Sequence, residues 1–434
     1  MIPAARADFR SRHAARLARR LRLPAPPPAP SRHPAERLAA CGLWALTGPR
    51  HGPPVLAPAP LADCAEGALS LFAASAGLPW TEGAGAALLT ERAALLGLAR
   101  NGAASPLGHC RLLPAADGWL ALNLARADDW ELLPALFRQA GAFAAGDWAS
   151  VAAAARARSV AELEAQGALL GLALAAARPP PERPPPWLRV AARGRPAPPP
   201  SAPLRVVDLS SLWAGPLCTR LWRLAGAAVT KVEDPTRPDG ARRGHPEFFR
   251  RLHAGKEILA LELKTPAGRR ALLDLLAGAD LVVESSRPRA LAQLGVVAER
   301  LVERRPGLTW VSITGHGRRG AAGQRVAFGD DAAVAGGLSW VLHRAAGRWL
   351  ICGDALADPL TGIHAALAGW ALRRAGGGVL VELSLAGVVA HCLAAHAPAD
   401  GDWARRGRAW LEHLERAGIG PAPPRLPEEV GWAP

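Results

Sequence analysis

Asp358 is the residue whose surroundings best suit covalent or acid–base chemistry. It stands directly before Pro359, and Ile363, Leu367 and Trp370 follow at helical spacing. Asp before Pro before an apolar run predicts a helix with Asp358 at its N-cap and Pro359 at its first position. The carboxylate then faces the positive end of the helix dipole, which favours its charged form. Such a group can cap the helix, or it can act as a nucleophile or base. A related motif occurs earlier, where Ala62-Asp63 precedes a small-residue helix much as Ala357-Asp358 does. Glu66 follows Asp63 at capping-box spacing, so the role expected of Asp63 is structural.

A helix start of this kind needs a scaffold, and residues 205–390 carry a strand–helix rhythm. Val206–Leu209, Ala228–Val232, Ile258–Leu263, Leu281–Glu284, Trp310–Thr314 and Gly378–Ser384 read as strands. Ala214 opens a helix that Gly226 ends, and Thr265-Pro266 caps another through Leu276. This alternation predicts an α/β protein with a parallel, Rossmann-like sheet. No GxGxxG is present, so a nicotinamide cofactor is not expected. Upstream, Asp117-Gly118 between Arg111–Leu113 and Trp119–Leu124 predicts a β-hairpin. Helices are expected from Asp129 to Phe137 and from Ser159 to Ala177, the latter with a Ser159/Glu162 capping box. Triple prolines at 179–181, 184–186 and 198–200 mark a boundary.

The resulting organisation is a basic, Pro-rich arm at 1–34, a first unit at 35–177, a Pro/Arg-rich linker at 178–204, a Rossmann-like catalytic unit at 205–397 and a tail at 398–434, with a helix near Trp410–Ala417. Order recurs between the two units. Gly42-Leu43 and Gly337-Leu338 each open an apolar segment, a turn follows, and Asp63 or Asp358 then precedes a small-residue helix. The shared sequence of features points to a diverged duplication.

Composition narrows the partners. The chain has 434 residues, half of them hydrophobic, and a formal net charge of +15. That surplus suits an anionic partner. The Arg residues are dispersed and no zinc-finger, RNA-recognition or helix-turn-helix pattern is visible, so a phosphate-bearing small molecule is favoured over nucleic acid. Only Lys231, Lys256 and Lys264 are lysines. Six scattered cysteines without a CxxC pair indicate neither a metal site nor a disulfide framework, and suggest a reducing cytoplasm. No uncharged apolar run reaches the ~18 residues of a membrane span, and the Arg-rich start lacks the apolar core of a secretory signal.

From Val207-Asp-Leu-Ser-Ser-Leu-Trp-Ala-Gly-Pro216 the chain resembles the class III CoA transferases, the formyl-CoA and carnitine CoA transferase family. The likeness continues through Gly226–Glu233, Pro238–Gly240, Phe249–Lys256, Leu261–Gly268, Ala279–Glu284, Gln293–Gly295, Val311–Gly315 and Gly353–Gly362. Members begin with the Rossmann-like part, whereas here it starts at 205. Asn101–Phe137 resembles the family's later small α+β domain, so the chain reads as a rearranged or duplicated version.

The resemblance implies that Asp358 is the nucleophile, forming an acyl-aspartyl anhydride and then an aspartyl-CoA thioester. Backbone N–H groups at the Asp358 helix, or the Asn101–Gly108 loop, would stabilise the oxyanions. It implies that Ser211, Trp213 and Ala214 lie near the adenine of coenzyme A and Lys256 near its phosphates. Ser285 and Gln293 replace the Asn and Arg of some members, with Arg287 and Arg289 placed to compensate. Coenzyme A is then substrate and product, with no permanently bound cofactor. The partners are an acyl-CoA and a carboxylic acid, and members form homodimers. A racemase of the same fold would need an acid/base pair, typically His with Asp. Racemase relatives carry Gly-His-Asp where this chain has Gly329-Asp330-Asp331, leaving His316 and His364 as substitutes. A non-catalytic CoA-binding paralogue is the third alternative.

Overall fold

The computed structural model describes residues 8–24, 32–200 and 203–431, so parts of the expected N-terminal arm lie outside the described residues. Strands β1 (Cys110–Ala115), β2 (Gly118–Asn123) and β3 (Ala173–Ala176) form a small antiparallel sheet in that order. Strands β4 (Arg189–Arg193), β5 (Arg205–Leu209), β6 (Ala228–Glu233), β7 (Glu257–Ala260), β8 (Leu281–Glu284), β9 (Thr309–Thr314) and β10 (Val379–Ser384) form the large sheet. Its order is β4-β10-β9-β8-β5-β6-β7. All neighbours run parallel except β4, which joins β10 antiparallel.

The chain runs from β5 to β6 and β7 on one side, then crosses back to build β8, β9 and β10 on the other. The order therefore reverses between β5 and β8. In open α/β sheets the crevice beyond the strand C-termini at such a reversal is where ligands bind. Strands β8 and β9 are almost wholly buried, as a sheet covered on both faces requires, with Leu281, Val282, Val283, Trp310, Val311 and Ile313 as their apolar residues.

The helix Ala357–Arg374 crosses the middle of the molecule, with nearly every residue buried. It packs on the helix Ala214–Leu224 and on the helix Leu61–Ala76. Two glycines permit the first approach: a Cβ at Gly362 would press on Ala214 O and Leu217, and one at Gly369 on the Trp222 ring. Trp222 Nε1 completes the contact by donating to Ala366 O at 2.8 Å.

Several elements depart from the sequence reading. The short basic helix expected in the N-terminal arm forms as Phe9–Leu21, but it is packed into the core rather than solvated. Arg10, His13, Ala14, Leu17, Ala18 and Leu21 make a buried stripe at helical spacing, packed on Leu61–Ala76. The arginines between them concealed it. Within the Pro/Arg-rich linker, Arg189–Arg193 becomes edge strand β4, a position where flanking prolines cost no ladder bonds. The expected Ser159–Ala177 helix keeps its capping box but ends at Leu170, because Gly171 turns left-handed at φ 70° and frees Ala173–Ala176 to pair with β2. The hairpin forms with Gly118 opposite Ala115. The last helix, Trp403–Arg416, starts earlier than expected because Asp402 caps it.

Candidate active site

Asp358 is not the N-cap of its helix. Leu356 holds that position without a side-chain bond, Ala357 is the first helical residue and Asp358 the second. Its carboxylate instead lies beside the backbone N–H groups of Ala214 and Gly329, which favour its charged form. Each is the first residue of its own helix, Ala214–Leu224 and Gly329–Ala335. Three helix N-termini thus converge on one carboxylate, which is the only partly exposed residue in the opening turn of Ala357–Arg374. Gly329 is required for this approach, since a Cβ there would overlap Ala355 O and Asp358 Oδ2.

Backbone strain flanks the same place. Among the described residues, four non-glycines have left-handed backbone: Arg22, Arg138, Leu212 and Ala355. Arg22 and Arg138 end helices, where that conformation is common. Leu212 and Ala355 precede the two helix starts at Ala214 and Ala357. Strain held at such positions accompanies functional sites. Leu212 is 38% exposed, an unusual position for a leucine with φ 69°.

The electrostatics run against the expectation of a dipole-stabilised anion. Burial pushes Asp358 up to about 7; Arg92 pulls it down and Asp354 adds repulsion. Burial likewise lifts Asp330 to about 8, with Asp354 adding to the effect, and Asp331 to about 7. Arg92 is the cation at their centre. Its Nε and Nη2 donate to the two Asp354 oxygens at 2.7 and 2.6 Å, and its guanidinium lies 4.8 Å over the Trp213 ring. Burial opposes the Arg92 charge, but Asp354, Asp330 and Asp358 together hold its pKa above the ordinary value. One guanidinium cannot neutralise four carboxylates, so protons make up part of the difference. Asp330 Oδ1 accepts from Ala355 N at 2.8 Å, and Asp331 Oδ1 from Phe328 N and Asn123 Nδ2 at 2.9 and 3.0 Å. These bonds tie the strained turn and the small sheet to the acid cluster. The sequence reading missed Arg92, which no local motif marks, and Asp354, whose only signal was its place after Gly353.

The other expected site residues divide into two groups. Ser211, Ser285 and Arg287 come together at the β5/β8 reversal, where Ser211 N donates to Ser285 Oγ at 3.0 Å. Arg287 is partly buried and its pKa is lowered, first by burial and then by repulsion from Arg289, Arg126 and Arg237. That mutual repulsion marks a patch suited to an anion. Trp213 and Lys256 belong to the interior. The Trp213 ring is 1% exposed and packs edge-on against Phe248 at 5.1 Å. The Lys256 side chain is fully buried, and Nζ donates to Thr219 Oγ1, Pro216 O and Asp208 Oδ2 at 2.7, 3.0 and 3.3 Å. Burial pushes Lys256 down to about 8. Its charge is consumed by Asp208, so a phosphate role does not suit it. The Ala214 N–H lies beside Asp358.

Asp63 also departs from its expected capping box. The helix Leu61–Ala76 has Pro60 at its N-cap and no side-chain cap. Asp63 Oδ1 accepts from Arg37 Nε at 3.0 Å, and Glu66 Oε1 accepts from Ala86 N at 2.7 Å, at the start of the helix Ala84–Leu88. The Asn101–Gly108 loop docks through Gly102, bonded to Gly48 O and Ile351 N. The suggested histidines are engaged elsewhere. His364 bonds His13 and Leu360 O, and His316 is pushed down to about 3 by burial and Arg325. A cavity of about 350 Å³ lined by Arg20, Arg189, Arg193, Arg319 and Glu382 opens at the β4 edge, away from the β5/β8 reversal.

Residues 202–416 match CoA-transferase family III. An acyl-CoA transferase of Fusarium pseudograminearum is 31% identical over 201 residues, covering 42% of this chain and 44% of that protein. The succinyl-CoA:glutarate CoA-transferase of Mus musculus is 30% identical over 201 residues, covering 44% of this chain and 46% of its own length. The formyl-CoA:oxalate CoA-transferase of Escherichia coli is 30% identical over 168 residues, covering 37% and 40%. The chain thus spans less than half the length of these relatives.

Proposed function

Through residues 202–416 the chain belongs to CoA-transferase family III, and from that premise we propose that it moves coenzyme A from an acyl-CoA thioester to a free carboxylic acid, with Asp358 as the covalent carrier. The observation that supports this reading is the convergence of the Ala214 and Gly329 N–H groups on a partly exposed Asp358.

The chemistry follows from that environment. A carboxylate raised to about 7 is a stronger nucleophile than an ordinary one, and about half of it is ionised at neutral pH. Asp358 attacks the thioester carbonyl, the C–S bond breaks, and CoA thiolate leaves an acyl-aspartyl anhydride. The thiolate attacks the Asp358 carbonyl, releasing the first acid and giving an aspartyl-CoA thioester. The acceptor carboxylate displaces thiolate from Asp358, forming a second anhydride. Thiolate then attacks the acceptor carbonyl and frees Asp358. Each covalent intermediate removes the negative charge from Asp358. The buried acid cluster that favours protonation favours acylation for the same reason. The two N–H groups are positioned to stabilise oxyanions as they form. Ser211, Ser285 and Arg287, with Arg126, Arg237 and Arg289, would receive the nucleotide end of coenzyme A, since an exposed guanidinium cluster suits phosphates.

The test is trapping. The chain is incubated with a panel of acyl-CoA thioesters and hydroxylamine or borohydride, then digested for peptide mass spectrometry. Modification at Asp358, absent in Asp358→Ala, is the expected result. CoA binding without an adduct across the panel would instead identify a non-catalytic paralogue. Solvent deuterium entering the α-carbon without CoA exchange would identify a racemase.

A further inference from the structure

A second cluster of reactive side chains lies on the other side of the Ala357–Arg374 helix, outside the acid cluster. His13, Cys64, His364 and Cys392 come from four helices: Phe9–Leu21, Leu61–Ala76, Ala357–Arg374 and Leu385–Ala395. All four residues are fully buried. Ligand atoms of His13, Cys64 and Cys392 lie within 4.8 Å of one another; His364 stands outside that set but its Nε2 is 2.9 Å from His13 Nε2, so it completes a fourfold site by a side-chain shift. We propose that these four side chains bind one divalent ion of the zinc type, in a closed tetrahedral site that clamps the first unit of the chain to the second.

A hydrogen bond orients His364 for this role, and His13 reaches it by moving its proton. His364 Nδ1 lies 2.7 Å from Leu360 O. A carbonyl only accepts, so the proton sits on Nδ1 and the Nε2 lone pair faces the cluster. His13 Nδ1 lies 3.2 Å from His396 Nε2. Without an ion His13 Nε2–H donates to His364 Nε2; on ligation that proton is given up and Nδ1–H donates to His396, the outer partner that fixes a ligating histidine. His391 repeats the pattern at the rim, with Nδ1 donating to Pro185 O at 2.7 Å. Burial keeps these rings neutral, lowering His13, pushing His391 to about 4 and His396 to about 2.

Charge and stoichiometry close as well. Two thiols release two protons to solvent on ligation, and two thiolates neutralise a dication. The cluster therefore gains no net buried charge beside Arg16. Two sulfurs and two imidazole nitrogens are a set that favours zinc over magnesium or calcium. With four protein ligands no position is left for substrate, so the role is structural. The spacing hid the site: Cys64 and Cys392 are far apart in sequence, and tertiary packing alone makes them neighbours.

The full-length chain, reduced and stripped with a chelator, is titrated with cobalt(II) as the probe. An intense visible band of tetrahedral thiolate-bound cobalt is expected, saturating at one ion per chain and bleached by zinc. Cys64→Ser and Cys392→Ser abolish saturation, His396→Phe weakens binding by roughly tenfold, and Cys41→Ser leaves it unchanged. Circular dichroism checks that each variant is folded. On the unaltered chain, one equivalent of zinc raises Tm, and a second equivalent adds nothing. The proposal is overturned if the unaltered chain shows no saturable band and no zinc-dependent rise in Tm, if the Cys64→Ser/Cys392→Ser double variant keeps the band, or if Cys64 and Cys392 are found joined as a disulfide in the freshly isolated chain.

Discussion

Asp63 and Asp358 begin as the same local feature, an Ala-Asp pair entering a small-residue helix, and they end in opposite situations. Asp63 is fully buried and bonded to Arg37, a guanidinium that also serves Asp8 and Glu82. Because Arg37 is shared, burial still pushes Asp63 up to about 7, while its carboxylate neighbours hold Arg37 above its ordinary value. Asp358 is partly exposed, and the N–H groups beside it come from two other helices. Its nearest guanidinium, Arg92, is spent on Asp354. A carboxylate locked to its own cation holds helices together. One left with N–H donors and a path to solvent is free to react. The motif sets the position of the carboxylate, and the allotment of cations decides its use.

That contrast is breakable at both ends. Asp358→Asn should lower CoA exchange by roughly 10⁴-fold or more with Tm nearly unchanged. Asp63→Ala should do the reverse, costing about 1–3 kcal/mol of stability because buried Arg37 Nε loses its acceptor while Asp8 and Glu82 keep the guanidinium paired, with turnover per folded molecule held. Loss of turnover in folded Asp63→Ala would remove the distinction. Chemical denaturation and a CoA-exchange assay read both.

Two glycines extend the test. A Cβ at Gly329 would strike Asp358 Oδ2 and Ala355 O, while one at Gly85 would strike Ala65 O and Glu66 Cα. Both Ala substitutions should cost about 1–3 kcal/mol through overpacking. Only Gly329→Ala should also cut turnover, by about 10²-fold, because it moves the reacting carboxylate.

The pH profile separates the groups further. In the proposed mechanism Asp358 must be ionised to attack, so kcat/KM should rise about tenfold per unit as pH approaches about 7 and then level. Stability should move the other way. Asp63, Glu66, Asp330, Asp331 and Asp358 all have folded values of about 7 or 8, raised above their unfolded values near 4. The unfolded chain loses these protons first, so their stabilisation is complete below about pH 4 and is lost as pH rises through about 8. Asp330→Asn should flatten that decline in thermal scans between pH 5 and 8; an unchanged slope would assign the decline to other groups.

The smallest effect is expected at the arginine patch proposed to receive the phosphates. Arg287→Ala should raise KM for the acyl-CoA about fivefold, an effect that fades with salt, as for an exposed charge pair. Lys256→Met should act on stability instead, since Asp208 then loses its buried cation. A salt-sensitive KM change in folded Lys256→Met would return that lysine to the site.

Much of the scaffold was legible along the chain. The strands β5, β6, β8, β9 and β10 follow from short apolar runs between helix caps, and the small hairpin from Asp117-Gly118. Asp358 was legible because Pro359 and the apolar spacing mark a helix start. Less legible were β4, hidden among prolines that an edge strand tolerates, and the burial of the helix Phe9–Leu21, whose apolar stripe alternates with arginines. Trp213 and Lys256, expected beside coenzyme A, have buried side chains for a reason no local pattern carries. Sequence position shows that a residue is near the crevice but not whether its side chain points into it.

What the sequence determined alone was periodicity: which segments are strands, where helices begin, and that a carboxylate stands at two of those beginnings. Local propensity and capping act over a few residues, so they can be read from a few residues. Tertiary structure decided which cation each carboxylate received, that Ala214 and Gly329 would aim their N–H groups at Asp358, and that His13, Cys64, His364 and Cys392 would meet. Those outcomes depend on burial and on groups hundreds of residues apart, and the energy of a charge depends on what surrounds it.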